Sequence, residues 1–103
     1  MNNALLKKKY GQVRKIEFST GYLNGVKALA KDHRNKELSK LKTIVGELST
    51  FDVDTQYHNH VLNNGNCELH VSGDVLLVYK YETDSLYVDL HLEDLTNHKK
   101  LIK

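Results

Sequence analysis

A run of apolar residues from Val75 to Tyr81 constrains the fold of this chain more than any other segment. It reads VLLVYKY, and a near-continuous apolar stretch rich in β-forming residues is typical of a strand that is buried on both faces. A strand of that kind lies in the interior of a sheet. The sequence therefore predicts a sheet with residues 75–81 at its centre.

Further strands flank this run. Residues 68–71 alternate between polar and apolar, and Ser72, Gly73 and Asp74 supply turn chemistry before the central strand. After a second turn, residues 86–92 alternate with Leu86, Val88, Leu90 and Leu92 on one side. Residues 13–18 also fit a strand, which gives four in total.

Two amphipathic helices are predicted between the first strand and the others. Ser19 or Thr20 is a suitable N-cap for the first helix, and Asn35 for the second. Apolar residues recur at helical spacing in each: Tyr22, Val26, Leu29 and Ala30 in the first, and Leu38, Leu41, Ile44, Val45 and Leu48 in the second. A short turn joins them, which favours an antiparallel helical hairpin.

The predicted fold is α+β, in the order β-α-α-β-β-β, with the helical hairpin packed on one face of a mainly antiparallel sheet. Residues 93–103 are interpreted as a short C-terminal helix or coil. Residues 1–12 are interpreted as a flexible basic extension, with a short helix as the alternative, and residues 13–103 as one domain. A length of 103 residues allows a single modest core.

The composition of the chain indicates its cellular compartment and the kinds of partner that it can bind. The net charge is only +2, so no strong overall field draws the chain to nucleic acid, although lysines concentrate at both ends. The single cysteine, Cys67, excludes an intramolecular disulfide framework and fits a reducing compartment. No apolar run is long enough for a membrane span, and residues 1–12 lack the apolar centre of a signal peptide. We therefore expect a cytoplasmic protein without membrane contact.

Histidines and one aspartate cluster next to the central strand. His58, His60, His70 and Asp74 fall within one short stretch, and His98 follows near the C-terminus. Imidazole titrates near neutral pH and a carboxylate can orient or charge it, so this set is suited to proton transfer. His33 and His91 are interpreted as ordinary surface residues, and Tyr79 and Tyr81 as part of the sheet rather than as base-stacking groups.

These residues carry a resemblance to a known family. The segments concerned are residues 16–19 followed by an amphipathic helix, residues 60–62, residues 70–80 with the pattern H-V-x-x-D-x-x-L-x-Y-K, and residues 96–101. Together they resemble the YafQ-like branch of the RelE/ParE toxin superfamily over about residues 13–102. The resemblance implies a RelE-like fold and a ribosome-dependent mRNA endonuclease, or mRNA interferase, that belongs to a type II toxin–antitoxin system.

The resemblance also implies a catalytic set of His60, His70, Asp74 and His98. His58 is the alternative to His60, and Lys80 and Ile102 are possible additional site residues. Ile102 stands where the family usually has an aromatic residue. An arginine that the family often has shortly before its second histidine is absent from the segment before His70, which reads Cys67-Glu68-Leu69.

RNA cleavage without a metal requires a base for the ribose 2′-OH, an acid for the 5′-oxygen, and a cation for the charged phosphorane. His60 is assigned as base and His98 as acid, with His70 and Asp74 near the phosphate, although these roles can be permuted. No cofactor is expected. Two alternatives remain: a zinc site built from His58, His60 and Cys67, His70 or His98, and a catalytically weak protein that mainly binds an antitoxin and regulates transcription.

The implied partners are a cognate antitoxin, in a heterotetramer or a similar hetero-oligomer, and the ribosome with its mRNA. Operator DNA would be contacted only through the antitoxin. A ribosome can supply electrostatic attraction for mRNA that a chain of charge +2 lacks.

Overall fold

The computed structural model describes residues 3–53, 59–62 and 64–97, with the backbone alone at His60 and Asn97. Its elements follow in the order α1 (Asn3–Tyr10), β1 (Lys15–Phe18), α2 (Thr20–Lys31), α3 (Asn35–Ser49), β2 (His60–Val61), β3 (Cys67–His70), β4 (Val75–Thr83) and β5 (Val88–Asn97). None of the described helices is long and apolar enough to cross a membrane.

The described strands form one five-stranded sheet in the order β1-β5-β4-β3-β2. The predicted central strand is therefore confirmed, because β4 has β5 on one side and β3 on the other. Only the β1–β5 pair is parallel among these strands, and the other pairs are antiparallel. The α+β fold with a mainly antiparallel sheet is confirmed, and the two-residue strand β2 is an addition to the predicted order.

One core joins the helices to one face of the sheet. It contains the buried side chains of α2 and α3 and alternate residues of β3, β4 and β5: Tyr22, Leu29, Leu41, Ile44, Leu48, Leu69, Leu77, Tyr79, Val88, Leu90, Leu92 and Leu95. The predicted stripe of α3 is confirmed, since Leu41, Ile44 and Leu48 are buried and Leu38 and Val45 pack against them. Leu86 is an exception, because it lies in the turn before β5 and is 86% exposed.

The start of α2 agrees with the sequence and the start of α3 does not. Ser19 is the N-cap of α2, and its hydroxyl oxygen accepts a hydrogen bond from the Tyr22 amide at 3.0 Å. For α3 the cap position belongs to Arg34, which makes no side-chain capping bond, and Asn35 is already the first helical residue. The Arg34 side chain is instead engaged with acidic groups, as described below.

The N-terminal segment is helical rather than a flexible extension. α1 buries Leu6 in the core to 3% exposure, while the neighbouring Leu5 stays 59% exposed. The helix ends at Tyr10, and the following Gly11 has φ of +76° and donates its amide to the Lys7 carbonyl at 2.8 Å. The Lys7 ammonium also lies 2.6 Å from the Asp52 carboxylate. The alternative of a short helix therefore describes residues 3–10.

The predicted C-terminal helix is wrong at its beginning, because residues 93–97 continue strand β5. A β-bulge explains the misleading pattern. Tyr79 pairs with Leu92 and Val78 pairs with Asp94, so Glu93 is the extra residue of β5. The insertion separates the buried Leu92 and Leu95 by three positions, which is a helical spacing. The rest of the predicted helix, residues 98–103, lies outside the described residues.

Candidate functional site

The side chains of β3 divide between two faces of the sheet. Leu69 belongs to the core on the helical side, so its neighbours Glu68 and His70 lie on the opposite face, here called the outer face. The register extends this face across β4, because Glu68 pairs with Val78 and His70 pairs with Leu76. The outer face is where the predicted site residues of the sheet belong.

His70 is the last residue of β3, and Asp74 is the last residue before β4. The four-residue turn between the strands is closed by the amides of Val71 and Ser72, which donate to the Val75 carbonyl at 2.9 and 3.3 Å. His70 and Asp74 therefore flank one turn between antiparallel strands, and an approach of their side chains to each other stays a prediction. His70 is partly buried.

His60 begins strand β2 and is the register partner of Glu68. Since Glu68 precedes His70 by two positions on β3, His60 is the diagonal neighbour of His70, with Cα atoms on the order of 7–8 Å apart in such an arrangement. The sheet thus brings the backbones of two predicted site histidines onto adjacent strands. His58, His98 and Ile102 lie outside the described residues.

Lys80 is more distant from this turn. It lies on β4 four residues after Leu76, the partner of His70, and pairs instead with His91 of β5. At a rise of about 3.3 Å per residue, that separation corresponds to roughly 13 Å along the strand. Lys80 therefore faces a different part of the outer face from His70.

The Asp74 carboxylate is held by an arginine from the turn between α2 and α3. Arg34 Nη2 donates to Asp74 Oδ1 at 3.0 Å and Arg34 Nη1 donates to Oδ2 at 3.2 Å. The Ser72 hydroxyl adds a third hydrogen bond to Oδ1 at 3.1 Å. The Arg34 guanidinium, and secondarily Ser72, lower the pKa of Asp74 below its ordinary value, so Asp74 is a carboxylate at neutral pH.

Arg34 is the residue at this site that sequence reasoning missed. It precedes Asp74 by 40 positions and belongs to a helix boundary, where a cation is commonplace. Its Nε also donates to Glu37 Oε1 at 2.7 Å, which raises the pKa of Arg34 together with the stronger contribution of Asp74. No local motif marks such a pair, because the contact exists only after the helical hairpin has packed on the sheet.

The two histidines interpreted as surface residues differ in their surroundings. His33 is exposed in the turn after α2 and has a left-handed backbone with φ of +57°. His91 lies on the outer face between carboxylates of the two neighbouring strands. Its Nδ1 is 3.2 Å from Glu17 Oε2 and its Nε2 is 3.1 Å from Glu82 Oε2. His91 therefore links three strands at the end of the sheet away from His70.

The tyrosines of β4 complete the sheet on its helical side, as predicted. Tyr79 is 2% exposed and its hydroxyl donates to Asn59 Oδ1 at 2.7 Å, while the Tyr81 hydroxyl donates to the Leu48 carbonyl at 2.5 Å. Burial raises the pKa of both phenols and of the neighbouring Cys67 thiol. Because these rings face the core, they do not stack bases on the outer face.

A cavity of about 400 Å³ is also on that side of the sheet, between α1 and the strands β2 to β4, and Leu6, Val61 and Cys67 contribute to its lining. It does not coincide with the His70–Asp74 turn. Within the described residues, no group of three or more histidine, cysteine, aspartate or glutamate side chains is arranged to hold a metal ion.

The comparison with protein families decides the identity. A family model described as "Bacterial toxin of type II toxin-antitoxin system, YafQ" matches residues 14–103. This chain belongs to the YafQ family. The match includes every predicted site residue and begins after α1.

Solved structures agree with membership in the YafQ family. YafQ from E. coli strain BL21(DE3) is 30% identical, with an alignment that covers 85% of this chain and 97% of that one at a TM-score of 0.67. The E. coli DinJ–YafQ complex gives 32% identity, coverage of 85% and 97%, and a TM-score of 0.66. No curated protein sequence matches the chain significantly.

Two further structures extend the likeness. A metal-bound toxin from Helicobacter pylori is 31% identical, with coverage of 84% and 97% and a TM-score of 0.70. A YoeB/ParE toxin from Agrobacterium tumefaciens is only 9% identical but reaches a TM-score of 0.69 with coverage of 82% and 98%. The second likeness concerns the fold alone, which is that of the RelE/ParE-like toxins.

Proposed function

We propose that this YafQ-family toxin is a ribosome-dependent mRNA endonuclease that cleaves by histidine acid–base chemistry without a catalytic metal. The observation that carries the proposal is the turn between β3 and β4. It has His70 at one end and an ionised Asp74 at the other, with the backbone of His60 on the adjacent strand. We expect the outer face to present the imidazole of His70 to a phosphodiester that is laid across the sheet.

In the proposed reaction, His60 removes the proton from a ribose 2′-OH, and the 2′-oxygen attacks the adjacent phosphorus. The P–O5′ bond breaks as His98 donates a proton to the 5′-oxygen, which leaves a 2′,3′-cyclic phosphate and a 5′-hydroxyl. His70 faces the phosphate as its charge develops, and Asp74 keeps the turn in place beside it. His58, Lys80 and Ile102 remain additional candidates for contacts with RNA.

The proposed partners are an antitoxin and the ribosome. The E. coli DinJ–YafQ toxin–antitoxin complex supports a protein antitoxin for this chain as well. We expect the resting form to be a hetero-oligomer, with a heterotetramer as the predicted arrangement and operator DNA contacted through the antitoxin. The ribosome would present the mRNA and supply the phosphate-binding charge that this chain lacks.

A second candidate function is that of a catalytically weak partner that mainly binds the antitoxin and regulates transcription. One observation favours it. The outer face carries Glu68, two residues before His70 on β3, and a carboxylate repels the phosphates of RNA. RNA must approach the outer face for the histidines to cleave it. A protein that only binds an antitoxin does not need RNA to approach this face.

The test is induced expression of the toxin without an antitoxin, followed by primer extension on a reporter mRNA. Wild type is compared with His70→Ala and His98→Ala, and with His91→Ala as the matched control, because His91 lies on the same face at the other end of the sheet. We expect growth arrest and in-frame cuts for wild type and His91→Ala, and intact message for the other two. Intact message with the wild-type protein would refute the nuclease and favour the second candidate.

A further inference from the structure

Arg34 connects two turns that are far apart in the sequence. Its two terminal nitrogens donate to both oxygens of Asp74, at 3.2 and 3.0 Å, and its Nε donates to Glu37 at 2.7 Å. The planar guanidinium is thereby fixed in one orientation by a fork-shaped pair and a third acceptor. The side chains of Arg34, Asp74 and Glu37 are 25%, 20% and 17% exposed, so water competes only partly for these bonds.

The consequence for the site is a clamp on the β3–β4 turn. Asp74 is bound from the helical side by Arg34 and from within the turn by Ser72. The turn itself is closed by the two amide hydrogen bonds to the Val75 carbonyl. Without Arg34, the Asp74 carboxylate keeps only the Ser72 bond of these three, and the turn that follows His70 loses its attachment to the helical hairpin.

We propose that Arg34 is a positioning residue for RNA cleavage, which holds Asp74 and the β3–β4 turn in the geometry that His70 requires. This inference rests on the proposed function. Arg34 acts through Asp74 rather than on the RNA, because all three of its guanidinium nitrogens already donate to protein carboxylates. Strand β3 contains no arginine or lysine. The cation that binds the β3–β4 turn is instead Arg34 of the helical hairpin.

The chain contains a matched control for this clamp. Arg14 binds Asp89 in a similar two-point contact, with Nε to Oδ1 at 3.0 Å and Nη2 to Oδ2 at 2.7 Å. Asp89 is the register partner of Glu82, which follows Asp74 by eight positions, or roughly 26 Å along β4. Loss of the Arg14 contact removes a comparable ion pair without touching the β3–β4 turn.

The experiment measures cleavage of a defined message on programmed ribosomes and separates kcat from KM. For Arg34→Gln we expect kcat to fall by roughly 10- to 100-fold, the size of effect that a small displacement of a reacting group produces, with KM within about 3-fold of wild type. Arg34→Lys should restore part of kcat. Arg34→Gln combined with Asp74→Asn should be no worse than either change alone, because both remove one interaction.

Three results would overturn the inference. One is a wild-type kcat for Arg34→Gln. Another is a loss confined to KM, which would mean that Arg34 binds the RNA directly. The third is an equal loss of kcat in Arg14→Gln, which would attribute the effect to general stability; melting temperatures of all variants are recorded alongside to compare their folding.

Hydrogen exchange on the free protein separates this inference from the proposed function. The amides of Val71 and Ser72 should exchange faster in Arg34→Gln than in wild type and should be unchanged in Arg14→Gln. Unchanged exchange in Arg34→Gln contradicts the clamp even if the protein cleaves mRNA. If these amides exchange faster in Arg34→Gln but the wild-type protein leaves mRNA intact, the nuclease proposal is rejected. A role of Arg34 in RNA cleavage is then rejected as well.

Discussion

At the scale of single residues, the contact of Gly25 with Leu95 of β5 explains why helix α2 contains a glycine, a residue with low helix propensity. A Cβ atom at Gly25 would lie 2.6 Å from the Leu95 Cβ and closer still to the Leu95 carbonyl oxygen. Helix α2 therefore crosses β5 at a distance that only glycine permits. From the sequence alone, Gly25 is expected to destabilise the helix by up to about 1 kcal/mol relative to alanine. The close approach of α2 to β5, which requires the glycine, is visible only in the structure.

We predict that Gly25→Ala destabilises the protein by about 1–3 kcal/mol, since the backbone of β5 blocks the added methyl group. Gly46 in α3 is the matched control, because a Cβ there meets nothing within 4 Å. Gly46→Ala should stabilise by about 0.5–1 kcal/mol through helix propensity. Urea denaturation measures both. Equal effects of the two substitutions would contradict the described packing of α2 on β5.

The site divides at the same scale into residues that a sequence can indicate and residues that it cannot. His70 and Asp74 could be selected because they flank a recognisable turn next to the central strand, in a spacing shared with a family. Arg34 could not, because its role depends on how the hairpin docks. The opposite error is also possible: Asn35 has the chemistry of an N-cap, but the cap position belongs to Arg34.

At the scale of elements, α1 is an addition to the part of the chain that matches the YafQ family, which begins at residue 14. It is attached at three points. Leu6 enters the core, the Lys7 ammonium pairs with Asp52 in the segment after α3, and the Tyr10 hydroxyl donates to the Asp84 carbonyl at 2.7 Å. Eight residues with one buried side chain show no clear amphipathic pattern, so the sequence alone favours a flexible extension.

Adjacent leucines test whether α1 is docked. Leu6→Ala should lower the free energy of unfolding by about 2–5 kcal/mol, as is usual for a buried leucine that leaves a cavity. Leu5→Ala, at a side chain that is 59% exposed, should change it by no more than about 0.5 kcal/mol. Urea unfolding at equilibrium gives both values, and a negligible effect of Leu6→Ala would show that the helix is not part of the folded unit.

Strand β5 illustrates the limit of periodicity. Its first half alternates in the sequence, and the alternation resumes after the bulge at Glu93 with the opposite phase. A pattern-based reading sees the phase change as the end of the strand. The pairing of residues 94–97 with β4 becomes evident only when both strands are aligned, because the bulge is a property of the pair.

At the scale of the whole molecule, three ion pairs join distant elements through aspartates. Lys7 lowers the pKa of Asp52, Arg34 lowers that of Asp74, and Arg14 lowers that of Asp89. A carboxylate with a depressed pKa in the folded state contributes stability that is present above its ordinary value of about 3.9. That contribution is lost as the pH falls through the folded pKa.

We therefore predict a melting temperature that is nearly constant from pH 7 to about pH 5 and falls below that. A variant with all three aspartates changed to asparagine should melt at a lower temperature at pH 7 and show a shallower fall toward pH 3. Circular dichroism melts across this range measure the effect. An equally steep fall in the variant would mean that other groups govern the acid sensitivity.

The central claim is that this YafQ-family toxin cleaves ribosome-bound mRNA by attack of a ribose 2′-OH. The most direct measurement is end-group analysis of a defined message after incubation with the purified protein, on programmed ribosomes and as naked RNA. The account predicts cuts on the ribosome only, with 2′,3′-cyclic phosphate and 5′-hydroxyl ends, and their loss in His70→Ala. Products with 3′-hydroxyl and 5′-phosphate ends, or an uncut message with the wild-type protein, would contradict it.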